Sequence, residues 1–390
     1  MRHRRGHLMA RAKVLIIQAQ IKHYRVPFFT RLYEALRHSH ISLTVAYSDP
    51  NEVEASRKDN AELPAEFGQR VRAHWFGARC VYQPLLAEAM RSDLVVVGNE
   101  NKFLINPLLL GLSALRLKRI AFWGIGPNME ADRSEMSEWI RRRMLRAADW
   151  WFAYAPSSVA YLEQHGIPVE VITNVQNAVD TKDFHNLVAS VSDEEVARLK
   201  ASLGINGGRV GLYCGLLDQT KRLPFLIEAA HIIRKKHADF HLIIVGSGPD
   251  RESVETIAAR EKWIHCLGPK FGRDKAAAFR AASIFMLPGR VGLAVLDSFA
   301  AGLPLISTQL PTHGPEFSYL SDGENGIATK HDVNEYADAV MRVLDEPALL
   351  AHLQNGARAA AGKYTIEAMV ENFHAGIERC LLHHSHRLAS

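Results

Sequence analysis

Residues 288–304, PGRVGLAVLDSFAAGLP, place a glycine-rich turn, a helix start and a first-turn carboxylate within seventeen residues. SIFML before this stretch and PLIST after it read as short buried strands, so the helix beginning near Gly292 is the crossover of a βαβ unit. Backbone N–H groups of Val291, Gly292 and Leu293, freed at that helix start, suit a phosphate, and the missing side chain of Gly292 lets it approach closely. An ordinary strand-to-helix turn has the same spacing, and Asp297 is also favourable there simply as an acid in a first helical turn. Lys221, six residues after Gly215 in the loop that closes VGLYCG, is either a fixed cation for such an anion or a solvated loop lysine.

Other chemistry-bearing residues narrow the choice. A dinucleotide dehydrogenase needs G-x-G-x-x-G after its first strand, but VLIIQAQIKHYR has no glycine; Gly246-Ser247-Gly248 has Arg251 where the third should stand. Cys80, Cys214, Cys266 and Cys380 are far apart with no C-x-x-C pair, which speaks against a zinc knuckle or a disulfide framework. There is no Asp-x-Asp triplet to hold a divalent cation against a diphosphate. Arg141, Arg142, Arg143 and Arg146 lie beside Trp139, Ile140, Met144 and Leu145 on an expected amphipathic helix, a face that suits an anionic membrane as well as it suits water.

The elements that must position these residues alternate along the chain. KVLII, ISLTVAY, DLVVVG, RIAFWG and WWFAY are strands separated by helical patterns, which means a parallel sheet. VGLYCG, FHLIIVG, WIHCLG, SIFML and PLIST repeat the alternation, so two doubly wound α/β domains are expected. The expected boundaries are an N-terminal domain over 1–180, a linker over 181–208, a second domain over 209–364, and a final helix over 365–390 packing back on the first domain. A chain of 390 residues with 47% hydrophobic and 23% charged residues is long enough for two cores and is not compositionally disordered. The net charge of +5 favours phosphorylated ligands or an anionic surface; basic and aromatic residues do not interleave as a nucleic-acid platform requires. The basic start MRHRRGHLMARAK leads into VLII without an apolar core of signal-peptide length, so a cytoplasmic protein is expected. FLINPLLLGLSAL is the most apolar run; it is too short to span a bilayer, so any membrane contact is expected at the surface.

In order, NAVDTKDF, GLLDQTKRLPFLIEAA, LIIVGSGPD, the 288–304 stretch, PEFSYLSDGENG and DVNEYADAVMRVLDEPALL resemble the donor domain of GT-B glycosyltransferases, specifically glycosyltransferase family 4. They cover nearly all of the second half. HYRVPFF and FWGIGPN give a looser match in the first. The resemblance implies a GT-B fold, two Rossmann-like domains facing a cleft, and a retaining, metal-independent glycosyltransferase. Its partners would be a nucleotide sugar and a saccharide or lipid-linked acceptor, in cell-surface polysaccharide or lipopolysaccharide synthesis, with no separate cofactor.

Residue by residue, it implies that Lys221 acts on the donor diphosphate, where fixed charge counters the charge that develops on the leaving group. Arg222 would be a second cation and Asp297 would accept from the ribose hydroxyls. Gly215, Gly248, Gly268, Val291, Gly292 and Leu293 would surround the donor, with Glu316 facing its sugar. His23, Tyr24, Arg25, Trp123, Gly124 and Asn128 would form the acceptor side of the cleft. Three positions depart from the family: Leu216 for an arginine, Gly289 for the first acid of E-x7-E, and Ile125 for a histidine. These departures keep open a binding or scaffold protein that has lost turnover. A nucleotide-sugar epimerase of the same fold also stays open.

Overall fold

The computed structural model describes residues 12–55, 59–77, 80–100, 102–126 and 143–387. It divides into two units: Met1–Val179 with Ile366–Ser390, and Asp180–Thr365.

The first unit is built on β1 (Lys13–Ile17), β2 (Ser42–Tyr47), β3 (Gly68–Arg70), β6 (Leu94–Gly98), β7 (Arg119–Gly124), β8 (Trp150–Ala153) and β9 (Ile172–Asn174). All pair in parallel, in the order β3-β2-β1-β6-β7-β8-β9. Uninterrupted apolar runs such as LVVVG are buried along their whole length because helices cover both faces of such a sheet. A small antiparallel hairpin, β4 (His74–Phe76) with β5 (Cys80–Tyr82), stands apart from the sheet. The C-terminal helix Ile366–Arg387 packs on helix Val26–His38 and on β8 and β9. Phe373 stacks on Phe152 with centroids 4.2 Å apart and planes 5° from parallel, and it also meets Phe28 and Trp123.

The second unit has β10 (Val210–Cys214), β11 (His241–Val245), β12 (Ile264–Gly268), β13 (Ile284–Met286), β14 (Leu305–Thr308) and β15 (Gly326–Thr329), parallel in the order β12-β11-β10-β13-β14-β15. Residues 181–208, expected as a linker, instead carry helices Thr181–Ser190 and Asp193–Ser202, packed on helix Gly272–Ala281 of this unit. The helix around SDEEVARLKASLG, ending at Gly204, is legible in the sequence; its packing on this unit is not. What binds the pair is an apolar seam, with Phe184 edge-on to Phe279 at 5.2 Å, together with the Arg273–Glu195 ion pair at 2.7 Å.

Candidate functional site

In a doubly wound sheet the loops leaving two adjacent strands turn to opposite faces where the strand order reverses, and a crevice opens beyond their carboxyl ends. In the second unit that point lies between β10 and β13. After β10 the chain runs through Gly215 and Leu216 to Asp218, whose carboxylate accepts from the Thr220 amide at 3.0 Å and its hydroxyl at 2.6 Å, setting a 3-10 turn over Gln219–Lys221. The loop after β13 is tied to this turn twice. The Arg290 amide donates to the Thr220 carbonyl at 2.8 Å, and the Lys221 ammonium donates to the Arg290 carbonyl at 2.6 Å. Gly289 lies flat on the main chain of Lys221, where a Cβ would overlap it. The position where an acid was expected has no room for any side chain in this loop pairing.

The N–H groups at the next helix are not equivalent. Val291 donates to His313 Nδ1 at 3.0 Å, while His313 Nε2 donates to the Thr308 carbonyl at 2.6 Å. This arrangement requires neutral imidazole. Burial pushes its pKa down to about 4, and the Lys221 and Arg290 cations push the same way against the Thr308 bond. The expectation that Val291 offers its N–H to a phosphate is therefore corrected: His313 holds it. Among the described residues, no protein acceptor takes the N–H of Gly292 or Leu293, at the start of helix Ala294–Ala300. Gly292 has no atom within 4 Å of a would-be Cβ, and its φ is not positive, so the chain's own packing does not require a glycine there.

Lys221 is half-buried, and its pKa is lowered by burial and by Arg290, while Asp218 and Glu316 oppose the shift. Glu316 is buried at the start of the 3-10 helix Pro315–Tyr319. Arg222, in the left-handed conformation at φ 53°, points its guanidinium at His331 Nε2, 2.7 Å away. His331 Nδ1 lies 3.2 Å from the Thr308 hydroxyl, which donates to the Pro288 carbonyl at 2.7 Å. The loops after β10, β13, β14 and β15 are thereby laced together.

Asp297 accepts from Lys275 at 2.7 Å, each side chain 22% exposed. Burial alone would lower the lysine's pKa, but Asp297 and Cys214 raise it beyond that penalty. Burial also pushes the Cys214 thiol, at the end of β10, up to about 12. Gly248 lies in the loop after β11, and Gly268 ends β12. Gly248 presses on the Leu217 main chain, and Gly268, at φ 67°, accepts through its carbonyl from the Gly246 amide at 3.0 Å. Lys275, His313 and His331 gave no sequence signal, because each reaches its partner from a separate element.

In the first unit, the same reversal lies between β1 and β6. A cavity of about 280 Å³ opens there, lined by Gln18, Gln20, Tyr24, Lys102, Trp123 and Tyr154 among others. His23 is exposed on the turn His23–Arg25, its Nδ1 3.3 Å from the Asp59 carbonyl. Arg25 is enclosed rather than presented. Its guanidinium donates to Asn177 at 2.6 Å and lies 5.3 Å from the ring centroids of Tyr24 and Trp123, so it serves the packing of this unit. Gly124 ends β7 against the Asn99 side chain. Asn128, Arg141 and Arg142 lie outside the described residues. Arg143 is exposed, whereas Arg146 donates to the His165 carbonyl at 3.0 Å and covers Gly166.

Comparison with known proteins bears on both units. Residues 208–346 match the family model described as Glycosyl transferases group 1. The chain is 24% identical over 350 residues to the alpha-D-kanosaminyltransferase of Streptomyces kanamyceticus, covering 83% of this chain and 80% of that protein. It is 24% identical over 207 residues to the alpha-monoglucosyldiacylglycerol synthase of Acholeplasma laidlawii, covering 51% of this chain and 50% of that one. Among solved structures, Anabaena HepE in complex with UDP superposes with a TM-score of 0.68 at 14% identity, over 93% of this chain and 98% of HepE. The chain thus has the GT-B fold seen in these glycosyltransferase structures, and its residues 208–346 are similar to the glycosyl transferases group 1 family.

Proposed function

We propose that this protein transfers a glycosyl group from a nucleotide-diphosphate sugar to a hydroxyl of a saccharide or lipid-linked acceptor, with retention and without a metal, in cell-surface polysaccharide or lipopolysaccharide synthesis. The observation that carries it is the switch point of the second unit. There a half-buried lysine tied to the loop after β13, the unclaimed N–H groups of Gly292 and Leu293 and a glycine its own fold does not need lie on adjoining loops. In the reaction the anomeric C–O bond to the diphosphate breaks, the acceptor oxygen bonds to the anomeric carbon, and the acceptor hydroxyl's proton leaves on a departing diphosphate oxygen. Lys221 and the two amides stabilise the charge that gathers on the leaving oxygens. The ammonium has donors beyond the one given to Arg290. Asp297 accepts from the ribose, and Glu316 is the acid nearest in role to the one that Gly289 replaces. HepE is described in complexes with UDP and with UDP-glucose, which supports a nucleotide sugar as donor. The acceptor is assigned to the cavity of the first unit, whose aromatic and amide walls suit a sugar ring.

Gly289 favours a second reading, a protein that binds the donor without turnover. Incubation with UDP-, GDP- and ADP-sugars and a panel of saccharide and lipid-linked acceptors separates the two. Sugar transfer with release of nucleotide is expected. Tight binding with no release under any pairing supports the binding protein, and an isomerised sugar nucleotide supports an epimerase.

A further inference from the structure

Helix Asn106–Ala114, the crossover from β6 to β7, is apolar on every side yet only partly covered. One face seats it in the unit: Ile105 and Leu109 are buried, and Asn106 donates to the Gly98 carbonyl at 2.9 Å. On the opposite face Leu104, Leu108, Gly111 and Leu115 recur at i, i+4, i+7 and i+11, one stripe of a helix and its flanking turns. Leu104 is 39% exposed, Leu108 49%, Leu115 70% and Leu117 57%. A Cβ on Gly111 would meet nothing within 4 Å. No charged residue occurs from Leu104 to Leu115 in a chain that is 23% charged. A helix hydrophobic all round is ordinarily buried, so this face is built to be covered.

The rim states what covers it. Helix Leu86–Arg91, which precedes β6, carries exposed Leu86 and Met90 and ends in exposed Arg91; beyond the stripe, the Lys118 ammonium donates to the carbonyl of Ser92, the residue after that helix, at 2.8 Å. Exposed Arg116 follows the stripe directly. Of the acids nearby, Asp149 accepts from Ser113 and the Ile120 amide at 2.9 Å each, exposed Asp93 accepts from the Lys13 amide at 2.8 Å, and Glu88 is half-buried on Leu86–Arg91. Along this rim the cations Arg91, Arg116 and Lys118 outnumber the acids Glu88 and Asp93. A helix of nine residues is far too short to cross a bilayer, and no described helix is long and apolar enough to do so. We propose that this face docks on an anionic phospholipid bilayer, the helix lying in the interface with its leucines inserted and Arg91 and Arg116 at the headgroups. This contact stands apart from the sugar-transfer reading and does not depend on it.

The test is sedimentation of the full chain with phosphatidylcholine vesicles, with and without phosphatidylglycerol, at low and high salt. Wild-type protein is expected to pellet with the anionic vesicles and to be released by salt. Leu108→Ser with Leu115→Ser should weaken binding by about tenfold or more, Arg91→Glu with Arg116→Glu should do likewise, and the thermal transition should stay unchanged. If the double serine variant is unstable, Leu115→Ser alone serves, since that residue is beyond the helix and the most exposed. Equal pelleting of wild type and variants, equal binding to neutral vesicles, or a wild-type dimer that the serine substitutions dissociate would each overturn the proposal.

Discussion

Lys221 and Asp297 show how a residue's neighbours decide what its chemistry can do. Both are legible in the sequence, Lys221 from its place after Gly215 and Asp297 from the helix start, yet each carries a partner that no local spacing reveals: the Arg290 carbonyl for one and Lys275 for the other. Lys221→Ala should lower turnover at saturating donor by roughly a hundredfold, the loss typical of removing one preorganised donor to a developing oxyanion. If nucleotide affinity alone fell in steady-state kinetics, the lysine would be only a binding group. Asp297→Ala should weaken nucleotide affinity by about 1.5 to 3 kcal/mol, the worth of a hydrogen bond to a charged group. Lys275→Met should cost less affinity than this, because its contact is with the acid. Calorimetric titration of both variants checks the order. Gly289 belongs here too: the sequence shows that an acid is absent, and only the contact with Lys221's main chain shows why none fits.

The elements carry a pH dependence through His313, which joins the loop after β14 to the helix start after β13. Its pKa of about 4 in the fold lies below the ordinary 6.5. Above pH 6.5 it is neutral whether folded or not. Between 6.5 and 4 the unfolded chain binds a proton that the folded one refuses, so stability falls as the pH falls, by about 3 kcal/mol at most, and levels off below 4. His265, also pushed down to about 4 by burial, titrates over the same window. Denaturant unfolding at stepped pH should therefore show a steep loss in wild type and a shallower one in His313→Gln. Identical slopes would mean that His313 is protonated without cost. Strands were the most legible elements, because a parallel sheet covered on both faces demands unbroken apolar runs. The hairpin of β4 and β5 was not, since three-residue strands leave no periodic signal, and the polar helix 193–202 was legible as a helix but not as part of the second unit.

At the scale of the whole molecule, the last helix belongs to the first unit although the second lies between them in sequence. Phe373 is fully buried against Phe152, Phe28 and Trp123, and Arg119 donates to the Leu381 carbonyl at 2.9 Å. Phe373→Ala should destabilise the first unit by about 3 to 5 kcal/mol and leave nucleotide affinity of the second nearly unchanged. Five of the six tryptophans are in the first unit and Trp263 is in the second, so fluorescence-monitored unfolding read beside nucleotide titration tells the units apart. A parallel loss of nucleotide affinity would show that the second unit depends on this core.

The sequence by itself determined the alternation of strand and helix, hence two parallel sheets, and the order of motifs that resembles a donor domain, because apolar period and turn residues are local properties. The tertiary structure alone decided which loops meet. Bringing the ends of β10 and β13 together turned residues 69 apart in the chain into Lys221 and its Arg290 carbonyl. The same convergence placed Val291 under His313 and gave Asp297 its lysine. In the first unit, packing likewise decided that Leu104, Leu108, Leu115 and Leu117 are exposed while Leu109 and Leu110 are buried. Contacts of that kind depend on strand order and burial, which are properties of the packed sheet and have no counterpart in any short stretch of chain.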